Sequence, residues 1–406
     1  MAHDTRPVYT LTSTPAVPES HDEALAIARS LRDRLRARGD EAQELRRLPD
    51  ATVADLLESG LYGVMKPKRY GGSELGTETM VDVAVELASA EPSAGWVYML
   101  WTAHMWMQAQ WPVQAMDEMF ENPNMLASSI VSSVGDVVPV AGGYAWTGRG
   151  FFSSGVDHCN WLTAAVPIKR DGVAAERRWL LIPREDFEIV DDWNTVGLRG
   201  TGSKTIEVNE VFVPEYRTLA QQDAEEGTGP GREVNTHPMY GGTVRANFGG
   251  AMSAPAIGAA KGFLGLFLER MGSKISRPDE THSPYLPDGI PTTLGRLSYA
   301  AAQVDAAHAL LRHGGQYYGC IPAKDVSMEE RQRLRRNSPF CAQQSRRAVN
   351  TLYEECGGTG LLDSSLIQRF WRDTNAASAH HGLTWDWQAD VWPKAALGFG
   401  TEMSPT

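Results

Sequence analysis

The sequence predicts a mainly α-helical protein with a central β-domain, that is, an N-terminal helical domain, a middle β-barrel and a C-terminal helix bundle. Three observations support this fold class. Apolar residues recur at helical spacing over the first quarter of the chain, short β-prone runs broken by glycines follow, and helical spacing then returns almost to the end. Strands and helices do not alternate and no Gly-x-Gly-x-x-Gly fingerprint occurs, which argues against a doubly wound nucleotide-binding fold.

Changes in periodicity and composition predict the domain boundaries. The N-terminus is rich in Pro, Thr and Ser, which is typical of a disordered tail. A polar, Gly-containing segment separates the β-prone region from the second helical region and predicts a linker or lid. We therefore expect a tail, an N-terminal helical domain, a β-domain, a linker and a helix bundle at residues 1–18, 19–124, 125–217, 218–238 and 239–406.

The N-terminal helical domain is predicted from apolar spacing. Ala24, Leu31 and Leu35 fall on one face of a helix amid charged residues. Residues 60–75 contain Pro and paired glycines and predict a sharp surface turn. A long helix of small residues follows, and Pro92 marks a break in it.

The β-domain and the helix bundle follow from the same kind of pattern. The runs SSIVSSVGDVVPV, RRWLLIPREDFEIV and TIEVNEVFVPE are short, β-prone and separated by glycines and polar turns. Beyond residue 238, helical spacing is combined with many Ala and Gly residues, which let helices approach each other closely.

Composition and charge restrict the partners of this 406-residue chain. Its formal net charge of −12 disfavours a nucleic acid or an anionic membrane as partner, because phosphate neutralisation needs clustered Lys and Arg. Its four cysteines lack CxxC spacing and predict neither a metal site nor a disulfide framework. No secretory signal and no apolar run of membrane-spanning length is visible. We expect a soluble cytoplasmic protein.

Residues 357–382, GGTGLLDSSLIQRFWRDTNAASAHHG, are the first candidate for chemistry. Glycines interrupt a helical pattern, a helix resumes with Leu366 and Phe370 on one face, and small residues lead to His380 and His381. An imidazole has an unperturbed pKa of about 6.5 and changes charge near neutrality. Histidines behind small residues therefore suit a pocket wall that handles protons, although a lone histidine is more often structural.

This stretch resembles the C-terminal signature of the acyl-CoA dehydrogenase fold. The shared pattern is GGxG, then Arg372-Asp373, then a polar site eight residues beyond the arginine. The resemblance implies the fold. In the dehydrogenases the residue before the last glycine is often the catalytic glutamate, and His381 stands there in this chain. That difference argues against the usual dehydrogenase chemistry.

Two N-terminal segments extend the resemblance. The loop VMKPKRYGG, residues 64–72, resembles the family's P-x-x-x-G-G loop. SAGW, residues 93–96, resembles the flavin-dependent oxygenase branch, in which a tryptophan lies near the flavin, and this implies a cofactor role for Trp96. His104 matches a substrate-contacting histidine of the phenol-hydroxylating members. The remaining tryptophans of this region are expected in the core, namely Trp101, Trp106 and Trp111.

The serines of the β-domain resemble a flavin loop. FFSSG, residues 151–155, is similar to the family's W-x-T element, which implies that Phe152 lies against the isoalloxazine and that Ser153 and Ser154 contact it, with Ser154 near flavin N5. Turn-forming serines are the alternative. Ser129, with its neighbour Ser128, matches a serine that positions substrate in related hydroxylases.

The segment GLRGTGSKTIEVNEVFVPE, residues 197–215, is the most specific match. It resembles the family's G-x-R-x-S/T-x-S/T loop and the valine-rich strand after it. The match implies that Arg199, Thr201, Gly202 and Ser203 bind flavin or fix the loop. A plain β-hairpin would account for the valines but not for the RGTGS stretch before them.

Arg245 corresponds to an arginine that reaches flavin in the oxygenase branch, and a surface role is its alternative. The dehydrogenases also carry R-x-x-F-G, which they use on the adenine nucleotide of flavin. The corresponding region here, residues 273–289, lacks Phe-Gly. This departure favours a flavin that visits as a reduced substrate over a resident FAD.

Taken over nearly the whole chain, the resemblance is to oxygenase components of two-component flavin monooxygenases, including hydroxyphenylacetate, steroid-phenol and indole hydroxylases. It implies hydroxylation of a phenolic or indolic substrate through a flavin C4a-hydroperoxide, with O2 and FADH2 or FMNH2 supplied by a separate NAD(P)H-dependent reductase. It further implies a homotetramer. The expected catalytic residues are His380, His104, Ser129 and Ser154.

Other functions remain open at this point. On the same fold, an N-oxygenase of an amine or amino sugar and an acyl-CoA dehydrogenase or nitroalkane-oxidase type of flavoenzyme are alternatives. A non-catalytic flavin-binding helix bundle is a third. The sequence does not distinguish FAD from FMN, and it does not show which of His380 and His381 faces the pocket.

Overall fold

The computed structural model describes residues 15–170, 173–275 and 291–399. Residues 1–14 of the predicted tail lie outside the described residues. The same holds for residues 276–289, which make up most of the segment that lacks Phe-Gly. Three regions follow one another as the periodicity predicted: helices, then two β-sheets, then helices again.

From residue 15 onward, the first region contains six α-helices. The fifth, α5, is buried along its whole length and begins with Pro92 at a position where the missing N–H costs no hydrogen bond. Glu91 caps it by accepting a hydrogen bond from the backbone N–H of Ala94 at 2.5 Å. In chain order the helices are α1 (His21–Ala37), α2 (Gly39–Leu45), α3 (Asp50–Glu58), α4 (Thr77–Ala90), α5 (Pro92–Gln108) and α6 (Val113–Phe120).

The middle region consists of two four-stranded sheets rather than one closed barrel. Strand β4 is apolar on both faces because both faces are buried. Leu162 and Ala164 pack between the sheets, while Trp161 and Ala165 pack against the helices. The sheet orders are β1-β4-β5-β8 and β2-β3-β7-β6. The strands are β1 (Ala127–Ile130), β2 (Ser132–Val140), β3 (Gly143–Ser153), β4 (Trp161–Arg170), β5 (Val173–Pro183), β6 (Glu188–Val190), β7 (Lys204–Pro214) and β8 (Thr218–Ala220).

The predicted linker at residues 218–238 is partly structured. Its first three residues form β8, which pairs with β5, and a short helix follows. The third region is a bundle in which α9 packs against α4, α11 and α12. The helices from here on are α7 (Gln221–Glu226), α8 (Val244–Asn247), α9 (Ala254–Ile275), α10 (Pro291–Tyr318), α11 (Met328–Tyr353), α12 (Leu366–Ser378), α13 (Trp385–Gln388) and α14 (Val391–Ala396).

Helix α5 lies where the three regions meet. It contacts β1 of the β-domain on one side and α9 and α12 of the bundle on the other. The stretch Val244–Ser273 is long and apolar enough to cross a membrane, but 78% of its most apolar part is buried inside the protein. It therefore has the properties of a core helix of this bundle.

Candidate active site on helix α5

Helix α5 carries two of the predicted site residues about two turns apart. Trp96 and His104 are eight residues apart, so successive steps of four residues through Leu100 bring them towards the same side of the helix. Trp96 is 5% exposed and His104 is fully buried. Each of them hydrogen-bonds a serine of the β-domain.

Trp96 starts a chain of hydroxyl groups. Its indole Nε1 donates to Ser154 Oγ at 3.1 Å. Ser154 Oγ lies 2.7 Å from Ser203 Oγ, and Ser203 Oγ lies 2.7 Å from Thr201 Oγ1. Thr201 in turn donates to the carbonyl of Leu198 at 2.9 Å. The structure thus brings four of the residues predicted to bind cofactor into one hydrogen-bonded line.

His104 and Ser129 form the second arrangement. His104 Nδ1 lies 2.8 Å from the carbonyl oxygen of Ala127, which can only accept, so Nδ1 carries the proton. In the neutral ring Nε2 is then the acceptor, and Ser129 Oγ donates to it at 2.7 Å. Burial lowers the pKa of His104 to about 4, because the charged ring would lose its hydration. His104 is therefore neutral at physiological pH.

The neighbouring serines point elsewhere. Ser128 Oγ lies 2.6 Å from Ser153 Oγ and 3.1 Å from the carbonyl oxygen of Ser154, to which it donates. Ser128 and Ser153 are both fully buried. Because side chains alternate along a strand, Ser128 and Ser129 face opposite sides of β1. Ser153 therefore ties β1 to β3, and its hydroxyl is not part of the Trp96 line.

Phe152 presents an uncovered aromatic ring beside this line. Its φ of +63° is rare for a residue with a side chain, and the side chain is 65% exposed. The ring of Trp193 meets it edge-on, with 6.4 Å between the ring centroids. Gly202 has a φ of +52°, and a Cβ there would lie 2.8 Å from Asp157 Oδ2, so the turn before Ser203 requires glycine.

The two predicted arginines have different surroundings. The Arg199 guanidinium donates to the backbone carbonyls of Gln43 and Thr195, each at 3.1 Å, and so ties the loop to the end of α2. Of its two predicted roles, these contacts correspond to fixing the loop. Arg245 is half-buried on α8, and burial lowers its pKa while nearby Glu225 opposes the shift.

His380 lies against Trp96, with 5.5 Å between the ring centroids, whereas His381 is exposed and lies near Trp387. The backbone N–H of Gly382 donates to His380 Nδ1 at 3.1 Å, so the neutral ring carries its proton on Nε2. Burial and the neighbouring His381 lower the pKa of His380 to about 4. The ordinary value of about 6.5 used in the sequence argument does not hold here, because that value describes a hydrated ring.

Sequence reasoning missed two contacts around this site. Phe248 lies 5.4 Å from His104, centroid to centroid, and no pattern in the sequence indicated it. Asp373 accepts a hydrogen bond from the backbone N–H of Leu198 at 2.6 Å, at the start of the hydroxyl-bearing loop. The Arg-Asp pair of the C-terminal signature was a signal for Asp373, but it did not reveal this partner.

The donors and the exposed ring fit a flat heteroaromatic cofactor. Indole N–H and hydroxyl groups suit the nitrogen and carbonyl edge of a flavin ring, and the uncovered face of Phe152 suits its apolar surface. The Ser154 hydroxyl can reorient between Ser203 and a ligand atom because its proton is not fixed by geometry. The residues present therefore fit the group that the family resemblance implies.

Comparison with known proteins defines the class. Residues 19–116 match the acyl-CoA dehydrogenase N-terminal domain and residues 251–385 the acyl-CoA dehydrogenase C-terminal domain. The crystal structure of 3-HSA hydroxylase from Rhodococcus sp. RHA1 superposes with a TM-score of 0.90 at 31% identity, over 95% of this chain and 99% of that one. The fold is thus that of an acyl-CoA dehydrogenase-like flavoprotein.

Two curated relatives narrow the class. The oxygenase subunit HsaA of a flavin-dependent monooxygenase from Rhodococcus jostii (strain RHA1) is 34% identical over 85% of this chain and 91% of its own length. The oxygenase component of an FADH(2)-dependent resorcinol hydroxylase from Rhizobium sp. (strain MTP-10005) is 31% identical over 95% of this chain and 96% of its own length. This chain belongs to the flavin-dependent monooxygenase family of oxygenase components with the acyl-CoA dehydrogenase fold.

Proposed function

We propose that this protein is the oxygenase component of a two-component flavin-dependent monooxygenase that hydroxylates a phenolic or indolic ring. The observation that supports this most directly is the pairing of two hydrogen-bonded arrangements on one helix. Trp96 with Ser154 offers donors to a flavin, and His104 with Ser129 offers a proton acceptor to a hydroxyl-bearing substrate. Both arrangements lie at the junction of α5 and the β-domain.

On the cofactor side, Trp96, Phe152, Ser154 and Thr201 would hold the flavin ring, with Ser154 as the donor to N5. Reduced flavin, when bound, supplies the two electrons with which O2 gives one inserted oxygen atom and one molecule of water. Ser203 supports Ser154 from behind at 2.7 Å, so that the Ser154 hydroxyl stays in place as a ligand binds. The buried surroundings keep water away from the reacting atoms.

On the substrate side, the Ser129–His104 pair holds the substrate hydroxyl. Ser129 already donates to His104 Nε2, and its oxygen lone pairs can accept a hydrogen bond from that hydroxyl. Because the lowered pKa of His104 makes Nε2 a weak base, the hydroxyl is polarised by this hydrogen bond rather than ionised in advance, and the ring carbons of the substrate become more electron-rich. A C–O bond then forms at a ring carbon, the C–H proton of that carbon is lost, and water carries away the second oxygen atom.

His380 can donate a hydrogen bond at the ring nitrogen where His104 accepts one. With Nδ1 accepting from Gly382, its neutral ring offers Nε2–H as a donor. This tautomer favours positioning of an oxygen atom near Trp96 over removal of a substrate proton. The lowered pKa keeps the ring in this neutral form at working pH.

Relatives support the cofactor and the substrate class. The names of two of them include FADH(2)-dependent resorcinol hydroxylase and p-hydroxyphenylacetate 3-hydroxylase, both oxygenase components. The structure of XiaF from Streptomyces sp., 25% identical over 94% of this chain with a TM-score of 0.86, was solved with FADH2. We infer that FADH2 or FMNH2 reaches this protein from a separate reductase and that the protein works in the cytoplasm.

A homotetramer is part of this proposal. Leu268 of α9 and Leu294 and Tyr299 of α10 expose about half or more of their side chains, although α9 is otherwise largely buried. Exposed apolar helix faces are typical of surfaces that bury one another across a closed symmetric assembly. Light scattering at working concentration should give four times the chain mass. A stable monomer would contradict this part of the proposal.

Product analysis tests the function. The purified protein is mixed anaerobically with photochemically reduced FAD or FMN and a panel of phenols and indoles, and air-saturated buffer is then added. We expect a hydroxylated product from at least one phenol and no product when oxidised flavin replaces reduced flavin. Formation of hydrogen peroxide without product across the panel would contradict the proposal. Oxidation of an acyl-CoA thioester by a resident flavin would favour the dehydrogenase alternative instead.

A further inference from the structure

One buried carboxylate lies outside the arrangements described so far yet contacts the loop that holds them. Asp373, on α12, is fully buried and accepts the backbone N–H of Leu198 through Oδ1 at 2.6 Å. Its other oxygen, Oδ2, has no hydrogen-bond partner among the described residues. A buried backbone N–H has no water to replace a lost acceptor, so this hydrogen bond is costly to remove.

Leu198 needs such support. Its φ of +53° is unfavourable for a residue with a side chain, because it brings Cβ too close to the following carbonyl oxygen. The residue is held from both ends of its backbone. Asp373 accepts its N–H, while the Thr201 hydroxyl and the Trp193 indole donate to its carbonyl oxygen at 2.9 and 3.1 Å. This conformation persists because its surroundings fix it from several sides.

The same loop is wedged between α12 and α5. A Cβ on Gly197 would lie 2.6 Å from the carbonyl oxygen of Arg372, and one on Gly200 would lie 3.0 Å from the Cβ of Ser93. Both glycines thus permit close backbone approach to a helix. The loop therefore follows the position of α12, which carries Asp373, and of α5, which carries Trp96.

The charges around Asp373 come from three elements. Arg369 lies one turn earlier on α12 and forms an ion pair with Asp40 of α2, and Arg372 adjoins Asp373. Glu91, the N-terminal cap of α5, belongs to the third element, and its charge interacts with that of Asp373. Two buried carboxyl groups and Arg369 therefore occupy the seam where α2, α5, α12 and the loop meet.

We propose that Asp373 is a positioning residue for the reaction: through Leu198 it fixes the loop 198–203, and through Thr201 and Ser203 it holds the Ser154 hydroxyl in register with Trp96. This inference rests on the proposed function for its catalytic consequence, but the positioning itself does not depend on any ligand. Asp373 does not touch the line of hydroxyls. It acts indirectly, through the backbone of Leu198.

Two variants separate the hydrogen bond from the charge. Asp373→Asn keeps an acceptor oxygen at Oδ1, whereas Asp373→Ala removes it. Hydrogen exchange of the Leu198 amide, measured on the protein without flavin, should be close to the wild-type rate in Asp373→Asn. In Asp373→Ala it should be faster by about 10- to 100-fold, which is the effect of losing one hydrogen bond to a charged group. Asp55→Ala, which removes a buried carboxylate between α1 and α3, is the matched control and should leave this amide unchanged.

The second readout is the share of consumed reduced flavin that gives product rather than hydrogen peroxide. We expect this share to fall several-fold in Asp373→Ala and to be retained in Asp373→Asn and Asp55→Ala. If Asp373→Ala does not fold, Asp373→Glu replaces it, since one extra methylene moves the carboxylate by about 1.5 Å while its charge is kept.

Wild-type exchange and product yield in Asp373→Ala would overturn the inference. Equal loss in Asp373→Asn and Asp373→Ala would also overturn it, because charge rather than the acceptor would then hold the loop. If the wild-type protein hydroxylated nothing, the proposed function would fail, and amide exchange would still decide whether Asp373 positions the loop.

Discussion

Trp96 and Ser154 are 58 residues apart in the chain, and the indole Nε1 of one donates to the hydroxyl of the other at 3.1 Å. This hydrogen bond joins the central helix α5 to the turn that directly follows strand β3 of the β-domain. It leaves the Ser154 hydroxyl between an N–H donor and the Ser203 hydroxyl. The Ser154 oxygen is therefore already held in place before any ligand arrives, which is what a donor to a reacting cofactor requires.

Ser154→Ala should divert consumed oxygen from product to hydrogen peroxide. The donor proposed for flavin N5 is lost, while the fold is retained because Ser154 is small and lies at a turn. Product and peroxide are quantified after a single turnover with reduced flavin. Ser133→Ala is the control. Ser133 lies on β2, and among the described residues its hydroxyl donates only to the Ala165 carbonyl. Unchanged partitioning in Ser154→Ala would remove Ser154 from the mechanism.

His380→Ala should lower the rate of hydroxylation by at least about 100-fold, the usual scale for a positioned proton-handling group. His381→Ala should have a much smaller effect, because His381 is exposed and its ring lies near Trp387 rather than Trp96. Rapid-quench kinetics of the two variants make the comparison. A large loss of rate in His381→Ala, together with an unchanged rate in His380→Ala, would show that His381 rather than His380 faces the substrate.

His104 and His380 should be opposite neutral tautomers. His104 faces a carbonyl through Nδ1 and so carries Nδ1–H, whereas His380 accepts an amide N–H at Nδ1 and so carries Nε2–H. Because burial lowers both pKa values to about 4, neither ring should gain a proton as the pH falls from about 8 to about 6. Nitrogen-15 shifts of the imidazoles report both properties. The same tautomer in both rings, or titration of either near pH 6.5, would contradict this assignment.

The buried carboxyl groups of Glu91 and Asp373 should make the protein less stable as pH rises. Burial, with a smaller contribution from repulsion by Asp373, raises the pKa of Glu91 to about 7, and burial raises the pKa of Asp373 to about 6. The folded state therefore binds more protons than the unfolded state between about pH 4 and about pH 7. Their stabilising contribution is complete below this window and is lost as pH rises through it.

Glu91→Gln tests this pH dependence, since the amide mimics the protonated acid. Relative to wild type, the free energy of unfolding of the variant should improve by on the order of 2 kcal/mol between about pH 5 and about pH 8. Urea denaturation at both pH values measures it. Glu44→Gln, at an exposed position on α2, should follow wild type. A variant that tracks wild type at both pH values would show that Glu91 is charged throughout.

Much of the site could be predicted from short motifs. Trp96, Ser154, Thr201 and Ser203 each stand in a local pattern, and the structure brings them into one line. The sequence could not show in which direction each of these side chains points. Ser153 and Ser154 are adjacent and equivalent in composition, yet Ser153, the last residue of β3, contacts Ser128, whereas Ser154, in the turn that follows, contacts Trp96.

Long-range partners were equally hidden. Asp373 and Leu198 are 175 residues apart, and only the packing of α12 on the loop brings the carboxylate to the backbone N–H. The pKa of His380 also depends on burial by elements distant in sequence, so the ordinary value of an imidazole was the wrong starting point. Motifs identify residue types, whereas protonation and orientation depend on tertiary contacts.

The central claim is that one atom of O2 enters an aromatic substrate at this site. Mass spectrometry of the product formed under 18O2, with reduced flavin supplied by a reductase and NADH, tests it most directly. The account predicts a hydroxylated product that carries one 18O atom, and loss of that product when the reductase is omitted. A product that takes its oxygen from water, or peroxide as the sole oxygen-derived product with every phenol and indole tried, would contradict it.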